Sequence, residues 1–175
     1  NNINNITTLR AKADQVIRIV DLFAGPGGLG EGFSASGNFR IAVSAEMEAS
    51  AHATLRLRAF YRILMRKGVA ARIPYFELCN GKYLPPTSEE GLPHWDNDTQ
   101  QAWKEACSEA LKITLGLPDD NKKLDKAIIE SGFSAETNWV LIGGPPCQAY
   151  SIVGRARNKG KEDYCAEEDH RHFLY

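Results

Sequence analysis

Residues Val16 to Gly30 have the sequence VIRIVDLFAGPGGLG and are the strongest indication of the fold. The first half, Val16 to Phe23, is a nearly continuous apolar run rich in β-branched residues, the pattern of a strand buried in a parallel sheet. Gly25, Gly27 and Gly30 then fit G-x-G-x-x-G, and residues 29–35 are predicted to form a short helix. This order is typical of a nucleotide-binding turn.

Two carboxylates accompany the glycine loop. Glu46 closes a second predicted strand, residues 39–45, where it can accept hydrogen bonds from both ribose hydroxyls of an adenosine-containing ligand. Asp21 ends the first strand, where dinucleotide sites usually carry apolar residues, and it suits a ligand with a cationic group. S-adenosylmethionine has such a group, a ribose and no phosphate, so it is the predicted ligand, with Phe23 against its adenine.

A second motif follows an apolar run over residues 139–142. The turn reads Gly143-Gly144-Pro145-Pro146-Cys147-Gln148. A structural cysteine more often lies inside an apolar run than on a proline-stiffened turn beyond it. We therefore expect an accessible, rigidly held thiol that acts as a nucleophile at the end of a sheet strand.

The other elements complete an alternating pattern. Helices are predicted over residues 49–67, 101–115 and 121–131, and residues 69–100 are expected to be loop with at most short elements. Strands and helices that alternate in this way predict an α/β, doubly wound and mostly parallel sheet. Residues 1–14 are expected to be a polar lead-in to one domain over residues 15–175.

Composition excludes several classes. The chain has 175 residues, a net charge of −1 and no apolar run long enough to span a bilayer. Its four cysteines fit no metal-binding spacing, and its first residues lack a signal core, so we expect no metal, no membrane and a reduced cytosol. Because the chain is not basic, contact with nucleic acid must rest on local clusters.

The two motifs together resemble the DNA cytosine-5 methyltransferase family. The first is Asp21-Leu22-Phe23-Ala24-Gly25-Pro26-Gly27-Gly28 followed by Gly32-Phe33, and the second is Gly144-Pro145-Pro146-Cys147-Gln148 followed by Ser151. The resemblance implies a Rossmann-like S-adenosylmethionine-dependent methyltransferase fold, double-stranded DNA as partner and a bacterial modification system. It also implies that Cys147 attacks carbon 6 of a flipped cytosine while carbon 5 takes the methyl group.

The resemblance assigns residues to three roles. Cys147 is the catalytic residue. The cofactor site comprises Asp21, Phe23, Ala24, Gly25, Gly27, Gly28, Leu29, Glu46, Met47 and Pro145, and the substrate site comprises Pro146, Gln148, Ser151, Arg155 and Arg157. For the acidic residue that contacts adenine, Asp119 and Asp125 are both candidates. By contrast, Arg58, Arg62 and Arg66 recur every four residues and predict an exposed helix face.

Several family blocks have no counterpart in these residues, among them the Glu-Asn-Val block whose acid protonates the base and the target-recognition region. Residues 16–23 and 139–142 both predict central strands, so the sheet is expected to be incomplete and the chain inactive alone. We expect a fragment or one subunit of a split enzyme that needs a second chain. Transfer-RNA methylation, a catalytically silent subunit and a nicotinamide-dependent oxidoreductase are the alternatives.

Overall fold

The computed structural model describes residues 16–68, 70–133 and 138–145. Its strands are β1 (Ile17–Leu22), β2 (Phe39–Glu46), β3 (Ala110–Lys112) and β4 (Trp139–Gly143). Its α-helices are α1 (Gly28–Ala35), α2 (Ala49–Lys67), α3 (Ile73–Cys79), α4 (Asn97–Glu109) and α5 (Pro118–Glu130), with a 3₁₀ turn at Ala70–Arg72. The predicted roles of Pro146, Cys147, Gln148, Ser151, Arg155 and Arg157, like the lead-in, fall outside these residues.

The four strands form one parallel sheet in the order β3-β2-β1-β4. The predicted α/β class with a parallel, Rossmann-like sheet is therefore confirmed. The sheet is covered on both faces. Gly30 of α1 lies against Ile41 on one face, and Leu124 of α5 packs with Val43 and Ala45 on the other.

A bulge in β2 determines which side chains are buried. The pairing of β1 with β2 shifts between Ile19 and Val20, whose partners are Ile41 and Val43, so Ala42 is an extra residue. Side chains normally alternate across a strand. The extra residue lets Ile41 face α1 while Val43 faces α5, and both are buried.

Both ends of the helix predicted over residues 101–115 were wrong, and the loop predicted before it contains one short helix, as the sequence allowed. Residues 110–112 belong to β3 rather than to a helix over 101–115, because α4 ends at Glu109 and the chain then pairs with β2. Helix α3 occupies part of the predicted loop, since Pro74 stands in its first turn, where the missing N–H costs nothing. Helix α4 begins at residue 97, where Asp96 accepts a 2.7 Å hydrogen bond from the Thr99 amide.

Strand β4, predicted to be central in a sheet that is incomplete in this chain, lies at one edge of the described sheet. Trp139 and Leu141 are 46% and 56% exposed. The apolar run alone could not separate a buried strand from one whose faces lack cover in the described residues.

An aromatic cluster anchors the segment between α2 and α4. Phe60 stacks on Trp95 with ring centroids 5.3 Å apart and meets the edge of Trp103, also at 5.3 Å. The indole N–H of Trp103 donates to the carbonyl of Ser88 at 2.9 Å. Both Trp95 and Trp103 are buried, so they pack in the core of the protein.

Within the described residues, no helix combines the length and the apolar character that crossing a bilayer requires.

Candidate functional site

The candidate site lies where the chain changes direction across the sheet, between β1 and its two neighbouring strands. The chain places β2 and β3 on one side of β1 and β4 on the other. In open parallel sheets, ligands bind in the crevice beyond the carboxyl ends of the strands at such a reversal. Leu22, which ends β1, pairs with Gly143, which ends β4. The glycine loop and the start of the Gly-Pro turn therefore emerge side by side at one edge.

The backbone of the glycine loop is held in an unusual conformation. Phe23 has a φ of 56°, Gly25 a φ of 56° and Gly27 a φ of 91°. A positive φ in a phenylalanine is strained and recurs at ligand sites. Gly27 caps α1, and a side chain there would come within 2.9 Å of Leu55. Glycine is thus required at this position by both conformation and space.

The outer side of the loop is open. A Cβ built on Gly25 or Gly28 would meet no atom within 4 Å. Leu29 follows Gly28 and Met47 follows Glu46 in the chain, and their side chains are 49% and 51% exposed. A ligand can therefore approach the backbone closely at Gly25 and Gly28.

Glu46 joins the end of β2 to the loop. Its Oε2 accepts a 2.8 Å hydrogen bond from the Gly25 amide, and its Oε1 accepts one of 2.7 Å from the Glu48 amide. The Ala24 amide also donates to the Ala45 carbonyl at 3.0 Å. Each carboxylate oxygen keeps a further lone pair, so Glu46 can hold the loop and still accept ligand hydroxyls.

Asp21 lies beneath the loop rather than on its open side. It is 1% exposed, and its Oδ2 is 3.1 Å from the point where Gly30 would carry a Cβ. Neither carboxylate oxygen has a hydrogen-bond partner among the described residues. Burial raises the pKa of Asp21 to about 6, and the Arg62 guanidinium opposes the rise. The site thus contains an uncompensated buried acid.

Arg62 belongs to a buried ionic cluster behind α1, which corrects the predicted exposed face. It contacts Glu31 of α1 and Glu109 at the end of α4, and its side chain is 11% exposed. Burial raises the pKa of Glu109 although Arg62 lowers it. The four-residue spacing of Arg58, Arg62 and Arg66 gives no sign that α4 packs against α2 and places Glu109 beside Arg62.

Two further residues were missed in the sequence. The Glu48 carboxylate caps α2 by accepting hydrogen bonds from Ser50 and Ala51, which lower its pKa. His52 Nε2 lies 2.9 Å from the Ala110 carbonyl and ties β3 to α2. The role of Glu48 could have been predicted, because an acidic residue directly before a predicted helix can cap that helix. The role of His52 could not, because its partner Ala110 is 58 residues away in the sequence.

Strand β4 leads into the second motif through Gly143. A Cβ on this residue would collide with the Leu22 carbonyl oxygen, so β1 and β4 require glycine for their close approach. Gly144 and Pro145 are exposed, and a Cβ on Gly144 would meet nothing within 4 Å. Pro145 is the last described residue before Cys147.

The two candidate acids for adenine lie on α5, which follows β3. Asp119 is in its first turn, and its carboxylate is 3.1 Å from the Lys122 ammonium. Asp125 is more than one turn further along. In the described ranges, no three His, Cys, Asp or Glu side chains come together as a metal site would require.

Comparison with known proteins gives two relatives. The first is a type II methyltransferase of Bacillus paralicheniformis, 29% identical over an alignment of 165 positions that covers 90% of this chain. The second, provisionally named a type II methyltransferase, is from Oceanobacillus iheyensis and is 30% identical over 159 residues, again 90% of this chain. No family model and no solved structure matches the chain.

This chain is similar to proteins named type II methyltransferases. The matched residues make up 36% of the first relative and 24% of the second. The similarity covers nearly all of this chain and therefore includes both the glycine loop and β4.

Proposed function

We propose that residues 15–175 are the cofactor-binding part of the catalytic domain of a DNA cytosine-5 methyltransferase in a bacterial restriction-modification system. The observation that carries the proposal is the pairing of Leu22 with Gly143. It places the glycine loop beside the strand that leads to Cys147, and methyl transfer needs a donor and a nucleophile at one crevice. The similarity to type II methyltransferases supports the same reaction class.

The described residues fit S-adenosylmethionine. Gly25 and Gly28 leave open space for a ligand, and Glu46 retains lone pairs for ribose hydroxyls. Asp21 lies beneath the loop without a hydrogen-bond partner within the residues that the structure describes, so we propose that it favours a positively charged ligand through its charge rather than by direct contact. We assign the cofactor to this set together with Phe23, Ala24, Gly27, Leu29, Met47 and Pro145. When bound, this cofactor supplies an electrophilic methyl group.

The chemistry of the chain itself centres on Cys147. In the proposed reaction its thiolate bonds to carbon 6 of a cytosine that has left the stack, and the ring electrons shift to carbon 5. Carbon 5 takes the methyl group and then loses its proton to a base. The electrons of that C–H bond restore the ring double bond as the C–S bond breaks, which returns the thiolate.

The DNA side of the site is assigned to residues near the nucleophile. We propose that Pro146, Gln148 and Ser151 shape the pocket for the flipped base, and that Arg155 and Arg157 bind backbone phosphates. The acid that protonates the base and the region that reads the sequence would come from further polypeptide or from a second chain.

The position of the methyl group tests the proposal. The full-length protein is incubated with duplex DNA and S-adenosylmethionine labelled in its methyl group, and the digested nucleosides are separated. The proposal predicts that the label is recovered in 5-methyl-2′-deoxycytidine. Label in an exocyclic amine of cytosine or adenine would overturn it. A parallel reaction with transfer RNA distinguishes the two alternatives, because an enzyme that modifies transfer RNA would label that substrate instead of DNA.

A further inference from the structure

A basic groove lies at the edge of the sheet opposite the glycine loop. It has a volume of about 440 Å³ and is lined by cationic side chains from four elements. These are Arg18 of β1, Arg40 of β2, Arg66 of α2 and Lys104 of α4. Arg18 and Arg40 are the second residues of their strands, so the groove faces the amino-terminal edge.

The positive charge of the groove is only partly balanced by the described residues. Two carboxylates line it, Glu105 and Glu109, and Glu109 is paired with Arg62. None of the four cations forms an ion pair with a carboxylate in the described part of the chain. The groove therefore has an excess of positive charge.

The cations are also crowded. Arg18 and Arg40 are direct register partners on neighbouring strands, an arrangement that is destabilising for like charges. Partial burial of the guanidinium and the nearby Arg40 lower the pKa of Arg66, although Glu109 and Glu105 oppose this shift. Crowding of this kind raises the free energy of the folded state unless an anion occupies the space between the charges.

The groove is also preformed. The Arg18 guanidinium donates a hydrogen bond to the Ser131 carbonyl and lies 5.9 Å from the centroid of the Phe133 ring. One charge is thus fixed in place, and Arg40, Arg66 and Lys104 remain exposed around it. Planar guanidiniums that line one groove can bind the oxygens of a phosphate group.

We propose that this groove binds a phosphate group through Arg40, Arg66 and Lys104, with Arg18 as its fixed base. The phosphate belongs either to a small soluble molecule or to a nucleic-acid backbone. The inference is independent of the methyltransferase proposal, because it rests on the opposite edge of the sheet.

Calorimetry on the full-length protein tests the groove directly. Inorganic phosphate and a short duplex are titrated at matched ionic strength into wild type, Arg40→Gln/Arg66→Gln and the control Lys122→Gln. Lys122 is an exposed lysine of α5 that does not line the groove. We expect the double variant to weaken binding at least about tenfold, and the control to leave it unchanged.

The two titrants identify the source of the phosphate. If the double variant loses affinity for inorganic phosphate, the groove is a site for a small molecule. If it loses affinity for the duplex alone, the groove binds a nucleic-acid backbone. Thermal unfolding without phosphate gives an independent readout, because the double variant relieves repulsion and should unfold at an equal or higher temperature than wild type. Unchanged binding of both titrants by the double variant, or a lower unfolding temperature, would overturn the proposal.

Discussion

The amide of Gly25 donates a 2.8 Å hydrogen bond to Oε2 of Glu46, so the end of β2 fixes the loop that follows β1. The same carboxylate accepts from the Glu48 amide at the start of α2. The candidate cofactor site is thus built from two strand ends joined by one side chain. Its shape depends on Glu46 before any ligand is bound.

Glu46→Ala should weaken binding of S-adenosylhomocysteine by about 10- to 100-fold, because it removes charge-assisted hydrogen bonds to the loop and to the ligand. Calorimetry on the full-length protein measures the change. Glu48→Ala is the matched control, since it removes the α2 cap and should cost about 1 kcal/mol of unfolding free energy with little effect on affinity. Equal loss of affinity in both variants would contradict a ligand role for Glu46.

Asp21→Asn should stabilise the folded protein against unfolding at pH 8. Burial raises the pKa of this carboxyl from 3.8 to about 6, so its contribution to stability is present below pH 3.8 and is lost as the pH rises through 6. At pH 8 the charged form costs about 3 kcal/mol, and the amide removes much of that cost.

Urea unfolding at pH 4 and pH 8 measures the effect on stability. Asp119→Asn, at an exposed position of α5, is the control and should leave the pH dependence as in wild type. If Asp21→Asn left the difference in unfolding free energy between the two pH values unchanged, Asp21 would not be the titrating buried acid.

Gly143→Ala and Gly144→Ala should differ although the residues are neighbours. A methyl group at 143 collides with the Leu22 carbonyl, so separation of β4 from β1 should cost about 1–3 kcal/mol. A methyl group at 144 meets open space and should change stability by less than about 0.5 kcal/mol. Chemical denaturation of both variants measures these changes in unfolding free energy. Equal changes would show that β1 and β4 do not pair in this register.

Arg62→Ala should cost about 3–5 kcal/mol of unfolding free energy, because it leaves Glu109 buried without its partner. Arg58→Ala, one turn earlier on the same helix, forms no ion pair among the described residues and should cost much less. If the two substitutions lowered the unfolding free energy by similar amounts, Arg62 would be exposed, as its spacing predicts.

Local patterns were sufficient for the elements that carry the site. The apolar run before Phe23, the glycine spacing and the basic end of α2 are all encoded within a few residues. Strand β3 was missed because Ala110–Lys112 has no strand pattern of its own and is fixed by pairing with Ser44 to Glu46. The edge position of β4 and the burial of Arg62 depend on contacts between segments far apart in sequence. The nucleophile assignment rests on its motif, since Cys147 lies outside the described residues.

Covalent trapping shows whether Cys147 is the nucleophile. The full-length protein is incubated with S-adenosylmethionine and duplex DNA containing 5-fluorocytosine, whose carbon 5 carries no proton to release. We predict a protein–DNA adduct that survives denaturing electrophoresis in wild type and is absent from Cys147→Ala. An adduct in Cys147→Ala, or none in a wild-type protein that methylates unmodified DNA, would contradict the account.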